Sequence, residues 1–294
     1  MAERTLRIAL AQYPIERHVS FDAWRDKLAR WFAEAAGSGA RLVVFPEYAS
    51  MELSSLLPEA LAADLPGQLA AMQAFLPDFL AHHDRLARRH GLVCVAGSFP
   101  VRRAGLFRNT AHVFGPEGPM GLQEKLIMTR FERELWGVSA GEGVRVFEAP
   151  FGRFAVAVCY DVEFPLIARA QAEAGAEIVV APSCTDSMRG YHRVRVGAQA
   201  RALENQCYVA MAPTVGEAPW SPAVDVNVGR AAVFGPPDQG FPEDGVVAQG
   251  ELDEAQWLLA DLDLSVIEAV RREGQVLNFR HWSEQPGLRA GVEA

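Results

Sequence analysis

Cys159 closes the apolar run "FAVAV" and is followed at once by Tyr160, Asp161 and Glu163 in "CYDVEFP". A strand that stops at a bend holds its last side chain at the sheet edge, so this thiol is reachable rather than merely packed, and a reachable thiol is a candidate nucleophile. An unassisted cysteine is only a few per cent thiolate at neutral pH, so a catalytic one needs a base or a cation beside it. The histidines, at 18, 82, 83, 90, 112, 192 and 281, fall in helical or loop stretches and give little support to a Cys/His pairing. Acids and lysines at strand ends fit better. Glu47 closes "LVVFPE", and Lys125 follows "GLQE", with Lys27 the only other lysine in the chain. Arginine supplies the remaining positive charge, so a lone lysine beside a strand suggests a point charge suited to an oxyanion.

Taken singly, each residue has a plainer reading: a small buried hydrophobe for Cys159, a solvated acid for Glu47 and an edge guard for Lys125. Asp161 is expected to accept hydrogen bonds from the bend after the thiol rather than do chemistry. Cys94, Cys184 and Cys207 read as packed thiols, although Cys184, after a strand in "APSCTD", could line the same pocket.

The elements that position these residues alternate. "TLRIALAQYP" has the pattern of a buried strand. Ser20 then caps a helix whose Phe21, Trp24, Leu28, Trp31 and Ala35 recur at helical spacing, closed by Gly37 and Gly39. "RLVVFPEYA" is the next strand, and a helical region around 67–90, broken at Pro77, leads to "GLVCVAGSFPV". "NTAHVFGPEGPMGLQEKL" and "VRVFEAPFGRFAVAVCYD" each look like a hairpin around a Gly/Pro turn. Alternation returns with "FPLIARAQAEAGA", "EIVVAPS", "GYHRVRVGAQARALENQ" and "CYVAMAPT", before more strands near 230–262. The expectation is one α/β domain with helices outside buried strands; spacing leaves open whether it has one sheet or two, and the hairpins disfavour a purely doubly wound sheet.

The 294 residues, 50% apolar, suffice for a large core. A net charge of -9 with dispersed basic residues argues against nucleic acid as a partner. Four cysteines without a CxxC pair fit reduced thiols, with no metal site and no cofactor expected. No apolar run is long enough for a membrane span, and the charged "MAERTLRIAL" does not suit a signal peptide, so a cytoplasmic protein is expected.

"FPEYA" with Glu47, "EKLIMTRFERELWG" with Lys125 and "VCYDVEFP" with Cys159, in this order, resemble the three signatures of the nitrilase superfamily of carbon-nitrogen hydrolases. With "GAQARALENQCYVAMAPTVG", the likeness covers most of the chain from residue 6 to about 262. The resemblance implies a four-layer αββα sandwich with two face-to-face mixed sheets, and a homodimer or larger homo-oligomer. The hydrolase domain is taken as 1–274, with a tail, 275–294, at a subunit interface. The resemblance also implies an amidase-like enzyme acting on a small amide or carbamoyl compound and releasing ammonia through a cysteine thioester. Cys159 would be the nucleophile, Glu47 the base, and Lys125 with the Tyr160 backbone N–H the oxyanion donors.

The family's second glutamate matches Glu134 best, with Glu132 in reserve. Tyr48, Arg130, Tyr160, Thr185 and Tyr191 are the candidates for substrate contact, and Arg133, Arg189, His192, Arg193 and Arg195 form a wider basic set that could meet a carboxylate. One departure stands out: Glu163 occupies the place of an arginine in the pattern Cys-x-Asp-x-Arg-Phe-Pro. The absence of a "CWE" stretch argues against a dedicated nitrile hydrolase. Other readings are a nitrilase, a non-catalytic binding protein on the same scaffold, and a Cys/His/Glu amidotransferase-like enzyme using His281.

Overall fold

The computed structural model describes residues 4–285. Six strands form a first sheet: β1 (Thr5–Pro14), β2 (Leu42–Phe45), β3 (Val93–Arg103), β4 (Leu106–Gly115), β5 (Gly118–Glu124) and, from the end of the chain, β13 (Gln256–Asp263). β1, β2 and β3 run parallel, whereas β4, β5 and β13 join antiparallel, which makes the sheet mixed. The second sheet holds β6 (Val146–Ala149), β7 (Gly152–Val156), β8 (Ile178–Ser183), β9 (Tyr208–Glu217), β11 (Ala232–Phe234) and β12 (Val246–Gln249), and the short β10 (Val226–Asn227) pairs antiparallel with the end of β9. Its parallel heart is β7-β8-β9, flanked by antiparallel β6 and β11. The sheets join where Tyr13 and Pro14 pair with Thr214 and Val215.

The helices are α1 (Phe21–Gly37), α2 (Glu59–Ala63), α3 (Leu65–Met72), α4 (Leu76–His90), α5 (Arg130–Glu134), α6 (Pro165–Glu173), α7 (Met188–Asn205), α8 (Ser265–Glu273) and α9 (Asn278–His281). Strand periodicity decides the layers. Leu6, Ile8 and Leu10 of β1 share one core with Val156, Val180 and Met211 of the second sheet. The alternate residues Ala9 and Ala11 face the opposite way, toward Trp24, Leu28 and Phe32 of α1 and Phe79 and Leu86 of α4. α6 and α7 cover the second sheet. The result is an αββα sandwich with two sheets, which reconciles the hairpins with the alternating units.

The helical region is indeed broken, at residues 73–75 just before Pro77. α3 ends at Met72 and α4 begins at Leu76, so the proline occupies the first turn, where its missing N–H would have had no partner anyway. Of the tail, residues 275–285 lie against their own chain: the Phe279 N–H donates to Gln206 Oε1 at 3.1 Å, and the Arg169 guanidinium sits 4.5 Å from the Phe279 ring and 5.0 Å from that of Trp282. Residues 286–294 fall outside the described residues. Among the described residues, no helix is long and apolar enough to cross a membrane.

Candidate active site

Glu47 follows directly from the fold. β2 is buried along its whole length, Pro46 ends it, and Glu47 emerges only 2% exposed. Its Oε1 accepts hydrogen bonds from Lys125 Nζ and Asn109 Nδ2, both at 2.8 Å, and its Oε2 accepts one from the Cys184 backbone N–H at 3.1 Å. β3 can pass beneath this strand end because Gly97 adopts φ +70 at an irregularity in its pairing. A Cβ there would lie 2.2 Å from the Pro46 carbonyl oxygen.

Lys125 leaves the end of β5 and is 1% exposed. Besides Glu47, its ammonium donates to Glu132 Oε2 at 2.6 Å. Glu132 is held by a reciprocal cap at the start of α5: the Thr129 N–H donates to Glu132 Oε2 at 2.9 Å, and the Glu132 N–H donates to Thr129 Oγ1 at 3.3 Å. Its Oε1 accepts from the Tyr48 hydroxyl at 2.8 Å and from Asn109 Nδ2 at 2.9 Å. This corrects the choice of Glu134. Two residues further round a helix turn by about 200°, and Glu134 accordingly points outward and pairs with Arg130 at 2.8 Å, with the two side chains 52% and 82% exposed.

Cys159 lies beyond the end of β7, as the first residue of a 3-10 turn, Cys159–Glu163, with φ 48. A left-handed conformation in a non-glycine residue costs on the order of 1–2 kcal/mol, and a sharp strand-to-helix turn of this kind presents a nucleophile at a sheet edge. The thiol points to the Cys184 carbonyl at 3.8 Å and faces the Glu47 carboxyl closely enough that each shifts the other's proton affinity. Asp161 does not serve its own bend. It accepts from the Leu126 and Ile127 N–H groups at 3.0 and 2.8 Å, tying the cysteine turn to the lysine loop.

Burial pushes Glu47 above its ordinary carboxylate range, with the Lys125 charge opposing and the Glu132 charge adding. Burial alone would lower Lys125, but Glu132 and Glu47 hold it well above the usual lysine range. Burial would likewise raise Glu132, yet Lys125 and the Thr129 and Asn109 hydrogen bonds bring it below. For Cys159, burial and then the Glu47 charge push the thiol well up, so it rests protonated next to a carboxylate of heightened basicity.

A cavity of about 640 Å³ is lined by Glu47, Lys125, Glu132 and Cys159, with Trp136, Phe131 and Val194 among its apolar walls. Tyr48, Arg130, Tyr160 and Thr185 also line it, but two of these hydroxyls are engaged: that of Tyr48 donates to Glu132, and that of Thr185 donates to the Val228 carbonyl at 2.7 Å. Tyr191 does not reach the cavity; it is 1% exposed and packs beside Gly229. His281 sits on α9, away from the cavity. A further cavity, about 730 Å³ and lined by Arg4, Glu177 and Arg271, contains no thiol. Asn109 was not among the residues expected, although it bridges both glutamates; it sits in the mixed strand "LFRNTAHVFG", where nothing local marks it. Cys184 contributes its backbone N–H and part of the lining. Among the described residues, no group of three or more His, Cys, Asp or Glu side chains could hold a metal ion.

Lys27, the other lysine, is also buried: its Nζ donates to Glu52 Oε2 at 2.7 Å, in the turn Ala49–Leu56 that follows Glu47 and Tyr48.

Two mixed sheets are stacked between helices, and a carboxylate, an ammonium and a thiol converge at their strand ends. The chain belongs to the carbon-nitrogen hydrolase family, whose sequence model matches residues 7–272. It is 34% identical over 275 residues to the probable hydrolase YhcX of Bacillus subtilis (strain 168), covering 94% of this chain and 53% of that one, so it spans about half the length of that relative. It is 27% identical over 276 residues to omega-amidase NIT2-B of Xenopus laevis, covering 91% of this chain and 92% of that one. The carbon-nitrogen hydrolase from Helicobacter pylori G27 shares the fold with a TM-score of 0.74 at 21% identity, covering 92% of each chain.

Proposed function

We propose that the protein is a thiol-dependent amidase that cleaves the non-peptide C–N bond of a small linear amide or carbamoyl compound and releases ammonia. The observation that carries this reading is the buried Glu47–Lys125–Glu132 cluster facing Cys159 across one cavity. The name of the omega-amidase relative supports an amide over a nitrile.

Cys159 sulfur attacks the carbonyl carbon while its proton passes to Glu47, whose raised basicity suits a thiol that holds its proton tightly. An ammonium has three N–H donors. Glu47 and Glu132 take two from Lys125, leaving the third to meet the developing oxyanion together with the Tyr160 backbone N–H. The tetrahedral intermediate collapses with cleavage of the C–N bond, and Glu47 returns the proton to the departing nitrogen, giving ammonia and a thioester. Water then attacks the thioester as Glu47 accepts its proton. Expulsion of the sulfur, reprotonated from Glu47, yields the carboxylic acid and the resting site. Glu132 acts through Lys125, fixing its position and charge.

Four free cysteines fit a reducing cytoplasm. Assembly as a homodimer or larger homo-oligomer is part of the same reading. The test is intact-protein mass spectrometry of wild type and Cys159→Ala, acid-quenched seconds after mixing with small amides, carbamoyl compounds and nitriles. An acyl adduct on wild type alone is expected. No adduct, together with a thiol slow toward iodoacetamide, would make this a non-catalytic member of the fold.

A further inference from the structure

Glu163 ends the 3-10 turn that Cys159 begins, and it lines the cavity. Its side chain is 20% exposed, and among the described residues the one cation within salt-bridge reach is Arg193, whose Nε is 3.8 Å away on a side chain 63% exposed. That separation is too long for a hydrogen bond, and a mostly solvated guanidinium compensates little of what a half-buried carboxylate loses on leaving water. Burial raises the proton affinity of Glu163, which Arg193 only partly offsets.

The remaining charges of the cavity point the same way. Lys125 is committed to Glu47 and Glu132. Arg130, 82% exposed, is turned outward to Glu134. Asp186 and Asp225 add two further carboxylates at the rim, and each accepts only from the residue next to it. Arg193 also lines the cavity but is 63% exposed, so among the described residues the cavity has no buried, uncommitted cation to receive a substrate carboxylate, while its wall carboxylate Glu163 has no cation at hydrogen-bond distance.

From this charge arrangement we infer that the substrate is an amide or carbamoyl compound whose far end carries a cation, a primary ammonium or a guanidinium, which binds Glu163. The inference rests on the amidase reading and adds the substrate's charge to it. Apolar walls such as Trp136 and Val194 suit a methylene spacer between the scissile amide at Cys159 and the cationic end.

The test uses three amides of matched length: pentanamide, 5-aminopentanamide and the monoamide of glutaric acid. kcat/KM is measured for wild type and Glu163→Gln, and binding of the same three to Cys159→Ala is measured by calorimetry. The aminoamide is expected to exceed the other two about tenfold or more, and Glu163→Gln is expected to cut the aminoamide-to-pentanamide ratio about tenfold, as loss of a charge-assisted hydrogen bond would. Preference for the anionic amide, or a ratio unmoved by Glu163→Gln, overturns the inference while leaving the amidase reading standing. If none is hydrolysed, calorimetry decides: tighter binding of the aminoamide upholds the charge preference even as the amidase reading fails, and equal, absent or anion-first binding overturns it.

Discussion

In the mechanism proposed above, Glu47 takes a proton from a thiol that holds it tightly, and its raised pKa suits that task. The sign of the pH dependence follows. If Glu47 is the base, the carboxylate is the active form, so activity is lost as pH falls through a folded-state pKa that lies above the ordinary 4.5. For a non-ionising amide, kcat/KM is expected to show an acid limb above that value, and Glu47→Gln to lose about 10²–10⁴-fold in kcat while keeping its circular dichroism. A limb at or below the ordinary value, or a brisk Glu47→Gln enzyme, would remove this residue as the base. Glu132 and Glu134 provide a contrast two residues apart. Glu132→Gln leaves the buried Lys125 with one counter-charge, so it is expected to lower kcat at least about 10²-fold and to cost about 3–5 kcal/mol by chemical denaturation. Glu134→Gln, at an exposed pair, should stay within about 0.5 kcal/mol and near wild-type turnover. Equal effects from the two would contradict the geometry. Glu47 and Cys159 were legible because each closes an apolar run, and Lys125 because it is one of only two lysines in the chain. The second glutamate was not, since the choice depends on where a one-turn helix starts, which the Thr129 cap decides. Asn109 was hidden because a buried amide within a strand looks like any outward-facing polar residue.

At the scale of elements, Gly97 sets how closely β3 passes the end of β2. Gly97→Ala meets both a positive φ and the Pro46 carbonyl, and is expected to cost 1 kcal/mol or more by denaturant unfolding. It should also depress kcat, because the atom it displaces precedes the base. Normal kcat in a folded variant would show that Glu47 is placed independently of β3. α4 carries a different signature. His83 is buried among Phe79, Phe32 and Phe45, and burial lowers its pKa to about 3. The unfolded chain binds that proton near 6.5, so stability is full above that pH and declines as pH falls toward 3, by about 2 kcal/mol between pH 7 and 5. His83→Leu should flatten this part of the profile; an unchanged slope would assign it elsewhere. Helix periodicity made α1 readable in advance. The break near Pro77 was readable too, but not its place, because a proline disrupts a helix interior yet suits a first turn, and sequence position alone does not say which applies.

Across the whole molecule, the site belongs to neither sheet. Glu47 and Lys125 follow strands of the first, while Cys159 and the Cys184 N–H follow strands of the second. The cluster exists only while the two are stacked, so activity and the near-ultraviolet dichroism of the core aromatics are expected to vanish together in denaturant. Activity lost well before the core signal would mean that the sheets separate or loosen locally first. Alternation of strands and helices disclosed the α/β class, but the joining of two sheets depends on long-range pairings such as Tyr13 with Thr214, which carry no local sequence mark. Here the likeness to a family supplied what periodicity did not.

The chain's two lysines share a fate with a practical side. Lys27 and Lys125 are 2% and 1% exposed, each with its ammonium locked against a glutamate of the segment 47–52. An amine-acylating dye or a lysine-specific protease thus finds neither of them in the folded protein. Labelling at Lys27 would time the release of α1 from the turn after Glu47, and labelling at Lys125 the opening of the Glu47–Lys125–Glu132 cluster, giving two clocks for two local openings in one unmodified chain.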